Sequence, residues 1–177
     1  MESSGSSAGT SPDPRVLGIL SDTHDNVSAA RAGIKTLRAN GAEFLIHCGD
    51  VGGQHILDLL AGIPSAFVWG NNDFDRPLLK GYAEGLGIQC CDDFGHLELG
   101  GRQVAIMHGD NLRHLAKITE GNIRYDYLFV GHSHVPSDER VGHTRIINPG
   151  ALHRAAKKTV ALVDTQTDVL RHLVVKI

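Results

Sequence analysis

The sequence predicts an α/β fold with a mixed sheet system, two sheets packed face to face between helices. Three observations point there. In the first half, short apolar runs alternate with segments of helical period. In the second half, paired strand-like runs joined by tight turns dominate. Throughout, polar residues of one chemical type recur just after the apolar runs, where open α/β folds collect ligands.

Residues 15–20, RVLGIL, read as a buried strand, and residues 26–41 as an amphipathic helix that Gly41 stops in the left-handed conformation. A strand over 42–48, a short helix over 53–62 and a strand over 64–70 follow. Residues 75–87 form a weaker helix, interrupted by Gly81. Residues 96–109 read as two strands turning at Gly100–Gly101. A helix over 111–121 and a strand over 125–131 come next. Strand-like runs at 144–150 and 159–177 complete the chain, the second folding into a hairpin around Thr165–Asp168.

The chain has 177 residues, 41% of them hydrophobic, which suits one domain burying about 70% of the surface of the unfolded chain. That domain is expected over 15–177. Residues 1–14, rich in Ser, Gly and Pro, read as a disordered tail without the basic start and apolar middle of a secretory signal. The formal net charge of -3 gives no sign of a nucleic-acid partner, and no apolar run is long enough to cross a membrane. Cys48, Cys90 and Cys91 form no C-x-x-C and no disulfide framework; they read as buried strand cysteines in a reducing cytoplasm.

The chemistry lies in the loops that follow the strands. Asp22 and His24 follow the first, Asp50 the second, Asn71 the third, His108 the fourth, and His132 with His134 the fifth. Singly these are ordinary: an Asp after a strand caps a helix, GNND is a turn, and HG is a loop. Two imidazoles at i and i+2 in GHSH rarely serve packing. Five such loops in order are hard to explain as caps and turns. Imidazoles with oxygen donors suit Mn²⁺, Fe²⁺, Zn²⁺ or Ni²⁺ better than Ca²⁺ or Mg²⁺. Seven donors exceed the needs of one ion, whereas two ions sharing a carboxylate account for them.

The ordered set SDTHDN, HCGDV, WGNNDFD, MHGDN and VGHSHV resembles the calcineurin-like metallophosphoesterases. The short length and the NPGA at 148–151 resemble most the small YfcE-type phosphodiesterases. The resemblance runs over 15–177. It implies a four-layer β-sandwich of mixed sheets flanked by helices, with two divalent metal ions, Mn²⁺ foremost, at the strand ends. It assigns Asp22, His24 and His134 to the first ion, Asn71, His108 and His132 to the second, and Asp50 to both. Asp50, Asn71, Asp73 and His108 make up the catalytic set, Asp73 orienting a ligand from behind; its other reading is a turn residue. A water ionised between the ions attacks a small phosphate ester directly. The rival expectation is a protein-binding module on the same scaffold, like the retromer subunit of this fold.

Three positions depart from the family pattern. Asn72 stands where many members carry a proton-donating His. Asp110 stands where many read H-G-H, and is expected to cap the next helix. Ala151 replaces the usual Ser, and behind it His153 and Arg154 either reach substrate or lie on the surface. His47 is expected as a satisfied core residue, and Asp92–Asp93 as a solvated turn. No long insertion separates the metal loops, so the site is expected to be an open groove that a second copy of the chain could complete.

Overall fold

The computed structural model describes residues 13–120 and 124–177. The expected tail therefore lies outside the described residues except for Asp13 and Pro14. Asp13 accepts hydrogen bonds of 2.8 Å from the N–H groups of Gly100 and Gly101. Both glycines have positive φ, as the tight hairpin requires.

The chain runs β1 (Val16–Leu20), α1 (Val27–Ala39), β2 (Phe44–His47), α2 (Gln54–Leu60), β3 (Ser65–Phe67), α3 (Arg76–Gly85), β4 (Gln89–Cys90), β5 (Phe94–Leu99), β6 (Arg102–Met107), α4 (Leu112–Glu120), β7 (Tyr127–Phe129), β8 (Ser137–Val141), β9 (Thr144–Asn148), β10 (Thr159–Asp164) and β11 (Val169–Val174). The first sheet has the order β11-β10-β1-β2-β3-β4 and the second β5-β6-β7-β9-β8. Both are mixed. β1 to β4 are parallel with β10 antiparallel to β1, while β6, β7 and β9 are parallel between antiparallel edges.

Alternation along each strand builds four layers. Leu17, Ile19, Ile46 and Ala66 of the first sheet meet Val104, Ile106, Phe129 and Ile147 of the second. The opposite face of the first sheet, with Leu20 and Leu45, packs on Ile34, Leu37, Ile56, Leu57 and Leu79 of α1 to α3. Ala105, Met107 and Leu128 on the outer face of the second sheet cover Ile118 of α4. This is the α/β sandwich of two mixed sheets that the sequence predicts. It brings the carboxyl ends of β1, β2 and β3 beside those of β6 and β7.

Two strands escape the sequence reading. β4 has two residues, too few for a periodic signal. β8 is an edge strand whose SDERV is exposed along nearly its whole length, so it shows no apolar alternation. The edge position of β4 also leaves Cys90 and Cys91 only half-buried, against the expectation of buried strand cysteines; Cys48 is fully buried. The cap of α4 is corrected as well. Asn111, not Asp110, accepts a hydrogen bond through its side chain from the His114 N–H at 3.1 Å.

Candidate metal centre

The floor of the site is three side chains on three strand ends. Asp22 after β1, Asp50 after β2 and His108 after β6 are each no more than 2% exposed. His24 and His134 are half-buried around them, and Asn71, Asn72 and His132 stand exposed at the rim. The result is an open groove. A cleft of about 380 Å³ continues it beside His108, lined by Trp69, Gly70, Arg76, Met107 and Asp110.

The loops hold these groups through strained backbone. Asp22, His24, Asp25, Asp50, His132 and His134 are six of the ten non-glycine residues with positive φ among the described residues. Asp and His tolerate that region better than most side chains, yet each still costs on the order of 1 kcal/mol. Backbone hydrogen bonds stitch the first two loops together: the N–H groups of Asp22, His24 and Asp25 donate to the carbonyls of Gly49, Asp50 and Val51. At Gly70 and Gly131 a Cβ would collide with the Asp50 carboxylate and with Ser21 respectively, so only glycine lets these loops approach.

The donor atoms form two overlapping groups. Single ligand atoms of Asp22, His24 and His134 lie within 4.8 Å of one another, and so do those of Asp22, Asp50 and His108. His134 Nε2 is 3.1 Å from Asp22 Oδ1. Asp50 Oδ2 lies between the groups, 3.3 Å from His24 Nε2 and 3.4 Å from His108 Nε2. His108 Nε2 also faces Asn71 Oδ1 at 3.0 Å and His132 Nδ1 at 3.3 Å. All seven residues singled out by spacing thus face one groove. The carboxylate common to the two distance groups is Asp22; Asp50 lies closest to an imidazole of each.

The tautomer of His108 follows from its surroundings. Its Nδ1 is 2.8 Å from the Cys48 carbonyl, so Nδ1 carries the proton and donates. Nε2 then turns a lone pair toward Asp50 Oδ2, Asn71 Oδ1 and His132 Nδ1. These ligand atoms converge on one small volume, an arrangement that suits a cation. Burial works against a charged ring, but hydrogen bonds to Asp50 and the Cys48 carbonyl outweigh it and push His108 up to about 8. Burial likewise works against the Asp50 charge, and hydrogen bonds from His108 and Asn72 hold its carboxyl well below the usual carboxylate range. Ligands of one divalent ion, at about 2.1 Å and near right angles, sit about 3 Å apart. The contacts of 3.0 to 3.4 Å fit that spacing.

Surrounding residues fix the donors. Asp22 Oδ2 accepts from Ser21 Oγ at 2.6 Å and from the His132 N–H at 3.1 Å. Asp50 accepts from the Asn72 N–H at 2.8 Å and from its amide at 2.9 Å. Asp73 is buried and touches neither group. Its two oxygens accept from the Gly52 and Gly70 N–H groups, tying two site loops together, and burial raises its pKa.

Three braces went unread in the sequence. Arg76 donates to the carbonyls of Gly70 and Asp73 at 2.8 and 3.1 Å. The Asn148 amide donates to the Gly131 carbonyl and Ser133 Oγ at 2.8 and 3.0 Å, propping the GHSH loop. Its signal was the NPG that follows β9. Thr23 Oγ1 is 2.8 Å from both His47 Nε2 and the Val51 carbonyl. The hydroxyl proton goes to Val51, so His47 donates from Nε2, and its buried Nδ1 has no partner among the described residues. His47 is therefore only half satisfied, contrary to expectation.

Comparisons with known proteins bear on the family and the fold. Residues 16–168 match the family model of the calcineurin-like phosphoesterase superfamily domain. The chain is 28% identical over 165 residues to phosphodiesterase MJ0936 of Methanocaldococcus jannaschii, covering 90% of this chain and 99% of that one. A solved archaeal phosphodiesterase superposes with a TM-score of 0.83 at 28% identity, again over 90% of this chain and 99% of its own. The phosphoesterase YfcE of E. coli shares the fold at a TM-score of 0.63 and 18% identity, over 91% of this chain and 100% of its own. The chain belongs to the calcineurin-like phosphoesterase superfamily.

Proposed function

We propose that the protein is a phosphodiesterase with a dinuclear metal centre, hydrolysing a small phosphate ester by direct attack of water on phosphorus. One observation carries the reading: Asp50 Oδ2, Asn71 Oδ1 and His132 Nδ1 lie within 3.4 Å of His108 Nε2, and among the described residues no Lys or Arg pairs with Asp22 or Asp50. Asp22, His24 and His134 would hold one ion, Asn71, His108 and His132 the other, and Asp50 both. Divalent cations bound there supply the positive charge that draws in a phosphate anion and acidify the attacking water.

The rest falls to the chain. The Asp50 carboxylate, fixed by two hydrogen bonds from Asn72, sets the separation of the two halves. His108, its Nδ1–H held by Cys48, keeps Nε2 aimed inward. Asp73 positions the Asp50 and Asn71 loops without touching substrate. In the overall step water adds to phosphorus, one P–O ester bond breaks, and an alcohol leaves with a proton. No Ser or Cys nucleophile is required. Mn²⁺ fits the mixed imidazole and oxygen set, as do Fe²⁺, Ni²⁺ and Zn²⁺. The reading takes 15–177 as one domain and, from three free thiols, a cytoplasmic setting. A second copy completing the open groove is part of the same reading, and sedimentation velocity tests it.

The deciding experiment incubates the protein with a chelator, restores Mn²⁺, and follows bis(4-nitrophenyl) phosphate and 4-nitrophenyl phosphate. Diester hydrolysis lost with chelator and restored by Mn²⁺, with two ions per chain, is the expected result. Two bound ions without hydrolysis of any ester would favour the protein-binding module. Full activity in chelator would remove the metal mechanism.

A further inference from the structure

The loop between β9 and β10 carries one imidazole that the donor set does not use. The His153 ring lies 5.1 Å from the His24 ring, centroid to centroid, at 46°. The loop is anchored immediately before it. Leu152 is fully buried in the core against α1, and its N–H donates to the Ser21 carbonyl at 3.3 Å, joining this loop to the one that carries Asp22 and His24. His153 is half-buried, and neither ring nitrogen has a hydrogen-bond partner among the described residues. Arg154 and Lys158 lie close enough to act on its charge, and neither forms an ion pair among the described residues.

We infer that His153 contacts the substrate, its ring N–H donating a hydrogen bond to an oxygen of the phosphate ester beside Asp22, His24 and His134. The inference rests on the phosphoesterase reading of the site. A solvent-facing imidazole donor beside two cations that form no ion pair among the described residues matches an anionic oxygen, because a hydrogen bond to a charged group is stronger than the one to water it replaces. Asn72, the other uncommitted-looking amide at the rim, is occupied by Asp50 at 2.9 Å. Arg154 and Lys158 add positive charge near the ring, which favours the same ligand at longer range.

The test compares His153→Ala and His153→Gln with the unmodified protein, all loaded with Mn²⁺, on a series of aryl phosphodiesters of rising leaving-group pKa. His153→Ala should lower kcat/KM by about 10- to 100-fold, the worth of a hydrogen bond to a charged group. Mn²⁺ stoichiometry, Mn²⁺ affinity and the thermal midpoint should stay unchanged. Gln, whose amide keeps a donor, should recover part of the loss. A uniform loss across the series identifies a non-bridging oxygen, and a loss that grows with leaving-group pKa identifies the leaving oxygen; both support the contact. Undiminished kcat/KM in an active series overturns it, as does a parallel loss of Mn²⁺ binding, which would make the ring a ligand or a structural element. An unmodified protein inactive on every ester removes the functional reading itself.

Discussion

Two clusters of carboxylates in this molecule are solved in opposite ways. Near β8, β9 and the β10–β11 turn, Arg145 donates to both oxygens of Asp138 at 2.8 Å and to Asp168 at 2.8 Å, while Tyr127 donates to Asp168 at 2.8 Å. Arg140 closes the set from the edge strand. Every carboxylate there has a guanidinium of its own chain. At the ends of β1 and β2, Asp22 and Asp50 are buried more deeply, yet among the described residues their only basic partners are imidazoles. The first cluster is complete. The second holds no guanidinium or ammonium among the described residues, and buried carboxylates left with imidazoles alone favour an added cation. A region of low exposure with too few cations therefore marks function more sharply than a count of charged residues does.

Removing charge from the incomplete cluster should have the largest effect. Asp50→Asn keeps the shape but halves the anionic floor, so Mn²⁺ binding should fall from two ions and diester hydrolysis should drop on the order of 10³-fold, several kcal/mol of transition-state stabilisation. Elemental analysis with kcat/KM measures both, and retention of two ions would show that Asp50 does not lie between them.

Loosening the same carboxylate without altering its charge should cost less. Asn72→Ala removes the 2.9 Å amide contact to Asp50. Metal affinity or kcat/KM should fall about 10- to 100-fold, the range for a group that orients a ligand. An unchanged Mn²⁺ titration together with unchanged kinetics would separate Asn72 from the centre.

In the complete cluster the consequence should be stability alone. Arg145→Met strands Asp138, leaves Asp168 to Arg140 and Tyr127, and should lower unfolding free energy by about 1–2 kcal/mol, allowing for their partial exposure. Chemical denaturation reads the loss. Mn²⁺ stoichiometry should not move; if it did, the two clusters would be coupled.

At neutral pH the smallest effect concerns His47, beneath the incomplete cluster. Burial, the leading cause, lowers its pKa from 6.5 to about 3. Between those values the unfolded chain binds a proton that the folded protein refuses, so stability falls as pH drops from 6.5 toward 3. The slope for one such group is at most about 1.4 kcal/mol per pH unit. His47→Gln keeps a donor for Thr23 and does not titrate. Its stability should depend less steeply on pH in that window, and an identical slope would assign the acid sensitivity to other groups.

Much of the architecture is written in local pattern. Alternating apolar runs mark β1, β2, β6, β7 and β10 because each is buried on both faces or on one, and period 3.6 marks α1 because one side of it faces Leu20 and Leu45. β8 was illegible since an exposed edge leaves no contrast between faces, and β4 since two residues hold no period. The donor residues were legible for another reason: Asp and His in a fixed order after strands have few structural uses together. The braces were not. Arg76, Asn148 and the Thr23–His47 pair act through backbone carbonyls brought near by folding, and nothing local distinguishes them from surface or core residues of the same type.

What the sequence determined by itself is most of the order of elements and the list of candidate donors, because both depend on residues close along the chain. What tertiary structure decided is which donors share a volume, which tautomer His108 adopts, and that Asp50 lies against an imidazole of each group. It also decided that Asp73 ties loops together while His153 faces the groove. Those outcomes depend on two sheets meeting at their strand ends, with contacts such as Asp22 to His134 and Leu152 to Ser21 joining segments over a hundred residues apart. A hydrogen bond requires atoms within about 3 Å, and no local pattern along the chain fixes such a distance.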